Sequence, residues 1–174
     1  MLFRSACDLN SNWTFYSAEE LQDLPENVKE MLADTEIGDS MEGVTQFTDM
    51  MAENVEKLAT VNVLYQKLSM QERLAYSLLD DEQVLDEMLK LQDVMIEAYT
   101  QMGMEVESLE KTTVTFLGQE RTALRTVSSV EGIAQYILQV YDYRLGQYSV
   151  TLTATTFGED NTQWVLDQFY SLNG

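Results

Sequence analysis

The sequence contains no histidine, and it has a single cysteine and a single proline among its 174 residues. Without histidine, the chain lacks the general base of a Ser-His-Asp triad and a ligand that most zinc sites use. With Cys7 as its only cysteine, it cannot form an internal disulfide or a thiolate metal cluster. No apolar run approaches the roughly 18 residues that cross a bilayer, so we expect no direct membrane insertion.

Basic residues are also scarce, since 10 lysines and arginines stand against 30 aspartates and glutamates, for a formal net charge of −20. A field of this sign repels phosphate backbones and anionic lipid surfaces. We therefore expect no nucleic-acid partner. A solvated acidic surface is the simpler interpretation of the charge. A site for a cation or a basic protein is the alternative.

No motif assigns a catalytic or cofactor-binding residue, because the sequence has no glycine-rich phosphate loop and no G-x-S-x-G turn. Cys7 lies in a predicted strand, with no histidine or helix N-terminus indicated to activate its thiol. Asp49 shares a predicted strand face with large apolar residues, and a hydrogen-bonded structural acid is the simpler interpretation there; a buried carboxylate with a raised pKa is the alternative. We predict a protein that is not an enzyme and has no cofactor. A hydrolase that uses Asp49 is the second alternative to this prediction.

One segment has the oxygen spacing of a calcium loop. Asp8, Asn10, Asn12 and Glu19 stand at the first, third, fifth and twelfth positions of an EF-hand-like pattern. Trp13 occupies the position where such a loop needs glycine. Asn and Asp are also common in plain turns, so the sequence favours a structural turn and predicts no metal site.

Residues 133–156 have the clearest local signal, and they predict a β-hairpin. If Arg144, Leu145 and Gly146 form a three-residue loop, with Gly146 in the left-handed conformation, the apolar residues of both strands share one face. Those residues are Ala134, Tyr136, Leu138, Val140, Tyr148, Val150, Leu152 and Ala154. A two-residue loop would shift the register by one and mix the two faces, which argues against it.

Alternating apolar residues predict further strands at 3–9, 13–16, 46–53, 60–68, 112–117 and 122–127. A turn at 10–12 would join the first two strands as a hairpin. Capping boxes at Ser17 and Ser69 predict short helices. The longest predicted helix runs over 81–103, with a methionine-rich stripe for which ordinary core packing is a simpler interpretation than a binding groove. A last helix, capped by Asp160, buries the apolar residues Val165, Phe169 and Leu172.

The connections between the later strands are too short for parallel crossovers, so the sheet should be mainly antiparallel. At 174 residues, the chain is long enough for one domain and short for two. We therefore predict a single α+β domain over residues 1–174. Its predicted architecture is an α/β/α sandwich, in which helices cover both faces of an antiparallel sheet of six to eight strands.

Several local phrases, together with the order of elements, resemble the PsbP-like fold family. The phrases are Asn12-Trp13-Thr14-Phe15-Tyr16-Ser17, Val61-Asn62-Val63, Phe116-Leu117-Gly118-Gln119-Glu120 and the run from Gln147 through Thr156. The resemblance spans nearly the whole chain. It implies a scaffold for binding or assembly, usually in bacterial extracytoplasmic proteins, with no shared catalytic residues.

Together these observations predict a non-catalytic binding or assembly domain with a protein partner. The alternative is a carrier or sensor of a small ligand, with a pocket between the sheet and the long helix. The resemblance implies an extracytoplasmic or cell-surface location. Residues 1–9 are too short and too mixed for the apolar core of a secretory signal, so a cytoplasmic location is the alternative.

Overall fold

A computed structural model describes residues 5–7, 9, 12–17, 46–145 and 148–171. Within these residues the chain forms nine strands and four helices. The strands are β1 (Ser5–Cys7), β2 (Thr14–Phe15), β3 (Gln46–Asn54), β4 (Ala59–Lys67), β5 (Met104–Phe116), β6 (Gln119–Val130), β7 (Ile133–Leu145), β8 (Tyr148–Phe157) and β9 (Phe169–Ser171). The helices are α1 (Met70–Leu78), α2 (Asp81–Leu89), α3 (Gln92–Gln101) and α4 (Thr162–Leu166). The short helices predicted after Ser17 lie outside the described residues.

Seven strands form one antiparallel sheet in the order β2-β3-β4-β8-β7-β6-β5. The α+β class, the antiparallel sheet and the predicted number of strands are therefore confirmed. The predicted hairpin of β1 with β2 is wrong, because β2 pairs with β3 while β1 pairs with β9 near the other end of the chain. In the latter pair Cys7 lies opposite Phe169, which is buried.

Two tight turns join β5, β6 and β7. Leu117 and Gly118 have φ angles of 53° and 74°, and Glu131 and Gly132 have φ angles of 52° and 78°. Two consecutive residues with positive φ are the signature of a two-residue hairpin turn whose twist matches that of the strands. Each of these turns therefore connects two antiparallel neighbours of the sheet directly.

The β7–β8 hairpin has the predicted faces and a different register. Leu138 lies opposite Ala154 and Val140 opposite Leu152, and all four side chains are buried. The predicted three-residue loop is wrong, because β7 continues through Leu145, which pairs with Tyr148. The pairing with β8 shifts by one residue between Asp142 and Leu145. Because of this shift, a two-residue connection still leaves the apolar residues of both strands on one face.

A second β-bulge lies in β3. Thr48 pairs with Leu64 and Met50 pairs with Val63, so the chain gains one residue, Asp49, between two consecutive pairs. An extra residue of this kind reverses the alternation of side chains along its strand. Asp49 is exposed. The alternative of a buried carboxylate at this position is therefore wrong.

The helices follow their predicted starts. Ser69 caps α1 and Asp80 caps α2, each in a capping box in which side chain and backbone exchange hydrogen bonds. The single helix predicted over 81–103 is wrong, because α2 ends at Leu89 and α3 begins at Gln92. The amide of Leu91 donates to the carbonyl of Met88, a tightened turn that breaks the helix.

The predicted C-terminal helix is shorter than expected. Asn161, without a side-chain cap, precedes α4, while Asp160 accepts hydrogen bonds from the amide and hydroxyl of Thr162. The chain then leaves the helix and forms β9 from Phe169. Val165 and Phe169 are both buried, as predicted, although Phe169 is buried from a strand. Leu172 lies outside the described residues.

Two hydrophobic clusters form on the large sheet. The buried members of cluster one are Trp13, Ala52, Ala59, Val61, Val114, Phe116, Ala123, Leu138, Val140, Leu152, Ala154, Val165, Leu166 and Phe169. Cluster two consists of Leu85, Leu124 and Tyr141, with Met88, Leu89, Met95 and Leu109 packed against it. Helix α4 contributes to cluster one and helix α2 to cluster two. Consecutive residues of β6, Ala123 and Leu124, belong to different clusters.

Candidate ligand pocket

A pocket of about 180 Å³ opens beside cluster one. Most of its wall is apolar and belongs to cluster one or packs against it. These floor residues are Met50, Val63, Phe116, Val140, Leu152 and Phe169, and Cys7 and Val150 complete the apolar lining. Five residues with charged or hydroxyl side chains, Asp49, Tyr65, Arg121, Tyr141 and Asp142, also line it. We call this cavity the bulge pocket.

The two carboxylates of the bulge pocket stand at irregular points of the sheet. Asp49 is the extra residue of the β3 bulge, and Asp142 is the last regularly paired residue of β7 before its irregularity. β-Bulges redirect side chains and are common beside binding sites. Asp49 is exposed and Asp142 is half-buried, so both acids line the pocket without being sealed in the core.

Arg121 is the basic residue of the pocket lining. One of its Nη atoms donates to the carbonyl oxygen of Tyr141 at 2.9 Å and lies 3.3 Å from a carboxylate oxygen of Asp81, at the start of α2. Only 15% of the Arg121 side chain is exposed. The guanidinium charge is therefore already partly neutralised within the protein.

Tyr65 adds a neutral hydroxyl to the lining. Burial raises the pKa of Tyr65 above its usual value of 10.0, and the negative charge of Asp49 raises it further. Both effects keep the phenol protonated at neutral pH. Tyr65 also contacts Tyr148 edge to face, with ring centroids 6.5 Å apart. The pocket therefore offers a hydroxyl beside a carboxylate above an apolar floor.

The candidate residues weighed from the sequence fall in different places. Asp49 of β3 and Cys7 of β1, which were considered separately, both line the bulge pocket. Among the calcium-loop candidates, Asp8, Asn10 and Glu19 lie outside the described residues, and the Asn12 amide donates to Glu56 at 3.0 Å. The part of the chain that the structure describes has no cluster of three acidic, Cys or His residues that could hold a metal ion.

The bulge pocket does not lie where a ligand site was expected, between the sheet and the long helix. None of its lining residues comes from α2 or α3. Met88 and Met95 of those helices pack against cluster two instead. The interpretation of the methionine stripe as core packing therefore holds for these two residues.

A second cluster of polar side chains lies at another pocket. Arg125, Asp160 and Gln163 are part of the lining of that pocket. The Arg125 guanidinium donates to Asp160 at 2.7 Å and lies 5.9 Å from the centre of the Tyr136 ring. Burial alone would raise the pKa of Asp160, but hydrogen bonds from Arg125 and Thr162 lower it overall. These contacts tie β6 to the segment before α4, so we assign them to stability.

The sequence did not single out Tyr65, Arg121 or Asp142 as site residues. A signal for Asp142 existed, because it continues the side of the hairpin that carries Leu138 and Val140, where a charge is unexpected. No local pattern identifies Arg121 or Tyr65. Their convergence depends on strand order, which brings together residues far apart in the sequence.

None of the described helices is long and apolar enough to cross a membrane. Helix α2 contacts β5 and β6, helix α3 contacts β5, and helix α4 contacts β8. In comparisons with protein-family models and with curated protein sequences, no family model and no curated protein matches this chain.

Proposed function

We propose that this chain is a non-catalytic binding domain that takes a small molecule in the bulge pocket. The observation that carries the proposal is the composition of the pocket, whose lining is mostly apolar and also includes Asp49, Tyr65, Arg121, Tyr141 and Asp142. Ligand sites are typically concave and mostly apolar, with a few polar groups that fix orientation. A cavity of about 180 Å³ suits a ligand smaller than drug-sized molecules, whose pockets span about 300–1,000 Å³.

Binding without catalysis is favoured over hydrolysis. The hydrolase alternative depended on a buried Asp49 with a raised pKa, and Asp49 is exposed. A general acid that works at neutral pH usually has its pKa raised by burial. Cys7 lines the pocket as a free, half-buried thiol, and the sequence supplies no histidine to activate it.

The architecture we propose is the α/β/α sandwich, with a PsbP-like arrangement and a location outside the cytoplasm. Ala123 and Leu124 support the sandwich, because consecutive residues of a strand point to opposite faces and these two belong to different clusters. Cluster one includes Val165 of α4, and cluster two includes Leu85 of α2. The location rests on the resemblance alone.

The proposal can be tested through Cys7, the only cysteine of the chain and a lining residue of the pocket. Isoamyl alcohol, a small branched probe, should slow the alkylation of Cys7 by iodoacetamide, because an occupied pocket covers the thiol. We expect a rate at least about threefold lower at saturating probe, which corresponds to most sites being filled. Mass spectrometry of the intact protein measures the alkylated fraction over time.

A matched variant separates occupation from a general solvent effect. Val63→Phe fills the pocket from β4, so the alcohol should no longer protect Cys7 in that variant. Protection that is equal in the wild type and in Val63→Phe would contradict the proposal. An alkylation rate that no concentration of alcohol changes would contradict it as well.

A second candidate function is protein binding through α1. Met70, Leu74 and Leu78 recur every four residues on this helix and are 78%, 65% and 77% exposed. A stripe of this kind, on a helix with no buried residue, marks an interaction surface more often than isolated exposed residues do. The acidic chain would favour a partner with a basic surface.

The α1 candidate is tested by replacing all three stripe residues with glutamine. The wild-type chain should capture a basic protein from extracts of its source organism at low salt and lose it at physiological salt. The triple variant should fail to capture that protein. Leu91→Gln with Met102→Gln changes exposed apolar residues elsewhere and serves as the control. Unchanged capture by the triple variant would exclude α1 as the docking surface.

A further inference from the structure

We propose that the end of the sheet at the β3–β4 and β6–β7 turns is a docking surface for a basic amphipathic helix of a partner protein. Three apolar residues lie at this end, Val55, Leu58 and Ile133, and each is more than half exposed. Four exposed glutamates lie at the same end, namely Glu56, Glu105, Glu131 and Glu159. We call these seven residues the turn surface. None of them lines the bulge pocket, so the inference is independent of the proposed small-molecule site.

Strand pairing places Leu58 and Ile133 close together. The amide of Phe157 donates to the carbonyl oxygen of Leu58 at 3.0 Å, so Leu58 lies beside the end of β8. On the other side of β8, Phe157 lies opposite Gln135, two residues after Ile133. With strands about 4.8 Å apart and a rise of about 3.3 Å per residue, the Cα atoms of Leu58 and Ile133 are roughly 12 Å apart.

Leu58 is the member of the turn surface that local structure explains least. Its φ angle is 48°, in the left-handed region that glycine and asparagine enter far more readily than leucine. Its side chain is mostly exposed, so burial in the core does not compensate for this backbone strain. Single exposed apolar residues are common, but an exposed leucine in a strained conformation benefits neither folding nor solubility. Burial against a partner accounts for a leucine at this position.

The glutamates of the turn surface favour a basic partner. In the part of the chain that the structure describes, none of the four forms an ion pair with a lysine or arginine. Glu56 and Glu105 accept hydrogen bonds from neutral side chains, which leave their charges in place. Lys57 is the one base among the described residues of these turns, so four negative charges and one positive charge leave an excess of three. Basic side chains of a partner would therefore meet unpaired carboxylates.

An α-helix matches the spacing of the apolar residues. Residues seven apart on a helix lie on one face, about 10.5 Å from each other, which is close to the separation of Leu58 and Ile133. An anionic lipid surface and a second copy of this chain, at −20, both carry negative charge that the glutamates repel. The spacing and the charge therefore both favour a basic helix that lays its apolar face on the turn surface.

The probe is a synthetic helix made of two copies of the heptad Leu-Lys-Lys-Leu-Leu-Lys-Leu. The same peptide with glutamate in place of lysine is the matched acidic probe. Both peptides are titrated into the wild-type chain and followed by nuclear magnetic resonance. We expect the lysine peptide to shift resonances of Val55, Leu58 and Ile133 and to bind at least about tenfold more tightly than the acidic peptide. Its affinity should fall as salt is raised, because the glutamates are exposed.

Variants separate the turn surface from the general attraction of an acidic protein for a basic peptide. Leu58→Asn with Ile133→Thr removes apolar side chains and leaves every charge in place, so the affinity for the lysine peptide should fall at least about tenfold. Leu74→Gln with Leu78→Gln replaces two exposed leucines of α1 and should leave the affinity within about twofold. Leu58→Asn should also raise the melting temperature by about 2–4 °C, because asparagine relieves the backbone strain.

Several results would overturn the inference. They are peptide shifts centred on α1, an affinity that Leu58→Asn with Ile133→Thr does not change, equal binding of the acidic peptide, and no binding at millimolar peptide. Sedimentation of the chain with vesicles of phosphatidylcholine and phosphatidylglycerol, lost in the same double variant, would identify a membrane as the partner instead of a helix. If the double variant does not fold, Ile133→Thr alone should weaken binding of the lysine peptide about threefold. Unchanged affinity in that variant would contradict the inference as well.

Discussion

The two hydrophobic clusters of the sheet differ in how completely they are filled. Cluster two is small, with Leu85 and Leu124 almost wholly buried, and its third buried member, Tyr141, also belongs to the lining of the bulge pocket. Burial raises the pKa of Tyr141 well above its usual value of 10.0, and the nearby Tyr99 raises it further. Cluster one is several times larger, yet a pocket of about 180 Å³ opens beside it.

The difference between the clusters separates a region that packs the core from a region that borders a pocket. Protein interiors are normally packed as densely as organic crystals, so a cavity that persists beside a core loses contact energy. Such a loss of contact energy is expected where the cavity binds a ligand. The acids Asp49 and Asp142 line the pocket, whereas the polar group of cluster two is the Tyr141 hydroxyl, which donates to Gln139. Cluster two therefore stabilises the fold, and the pocket side of cluster one is where we propose that a ligand binds.

The largest expected effect comes from a charge in cluster one. Leu138 is 3% exposed and lies opposite Ala154 at the centre of the β7–β8 pair. Leu138→Asp should unfold the domain, because the cost of an unpaired buried carboxylate is comparable to the whole free energy of unfolding, about 5–15 kcal/mol. Circular dichroism would show a loss of the cooperative thermal transition. Ile133→Asp, on the same strand but 55% exposed, should remain folded.

Removing side-chain volume from cluster two should have the next largest effect on the free energy of unfolding. Leu85 is 1% exposed and contacts Leu124 and Tyr141 in this cluster. Leu85→Ala should lower the free energy of unfolding by about 3 kcal/mol, from lost burial and a new cavity. Chemical denaturation measures the change, and binding of isoamyl alcohol should be preserved. A loss below 1 kcal/mol would contradict the view that cluster two is closely packed.

Substitutions that add volume test directly whether the pocket is an open space and its surroundings are not. Val84 of α2 is 2% exposed, so Val84→Phe should overpack its surroundings and cost about 1–3 kcal/mol. Val63 lines the pocket, so the same substitution there has space to enter and should cost less than about 1 kcal/mol. Both values come from denaturant unfolding. Equal losses in the two variants would mean that the pocket is not an open space in solution.

The smallest expected effect concerns the Arg125–Asp160 pair beside cluster one. Because the folded-state pKa of Asp160 lies below its usual value of 3.8, the pair contributes stability above that pH and loses it as pH falls through the lowered pKa. Asp160→Asn should cost about 1 kcal/mol at neutral pH, since the pair is partly exposed. Glu159→Gln should cost less. A deficit of Asp160→Asn that persists in strong acid would contradict the ion pair as its cause.

Local sequence signals predicted the parts of the fold that local chemistry decides. The capping box at Ser69 begins α1 as predicted, because side chain and backbone there satisfy each other within one turn. The turn at Gly118 and the shared face of Leu138 and Val140 follow from backbone conformation and alternation in the same way. Each of these features involves residues close together in the chain.

Two features of the fold were missed, and one of them depends on a partner far away in the sequence. Phe169 looks like a helix residue by its spacing from Val165, but the chain pairs it with Cys7 in the two-stranded sheet. The break between α2 and α3 leaves the apolar period intact, so periodicity alone gives no sign of it. Leu91, at the break, is exposed instead of continuing the buried stripe.

The candidate site was predicted least well, because only Asp49 and Cys7 of the pocket lining were singled out and neither was predicted to line a ligand pocket. A β-bulge turned Asp49 outward, and no local signal distinguishes a bulged acid from a regularly alternating one. Arg121 and Tyr65 enter the pocket through the order of the strands, which places β4 and β6 on either side of the β8–β7 pair. The sequence pattern therefore limits the fold more tightly than it limits the site.

The most direct test of the difference between the two clusters is a crystal structure of the chain with isoamyl alcohol at saturating concentration. We expect the branched hydrocarbon to contact Val63, Val140 and Leu152, and the hydroxyl to lie about 3 Å from a polar atom of the pocket lining. Cluster two should be unchanged. An alcohol lodged between α2 or α3 and the sheet, or a bulge pocket that stays unoccupied at saturation, would contradict the assignment of binding to the bulge pocket.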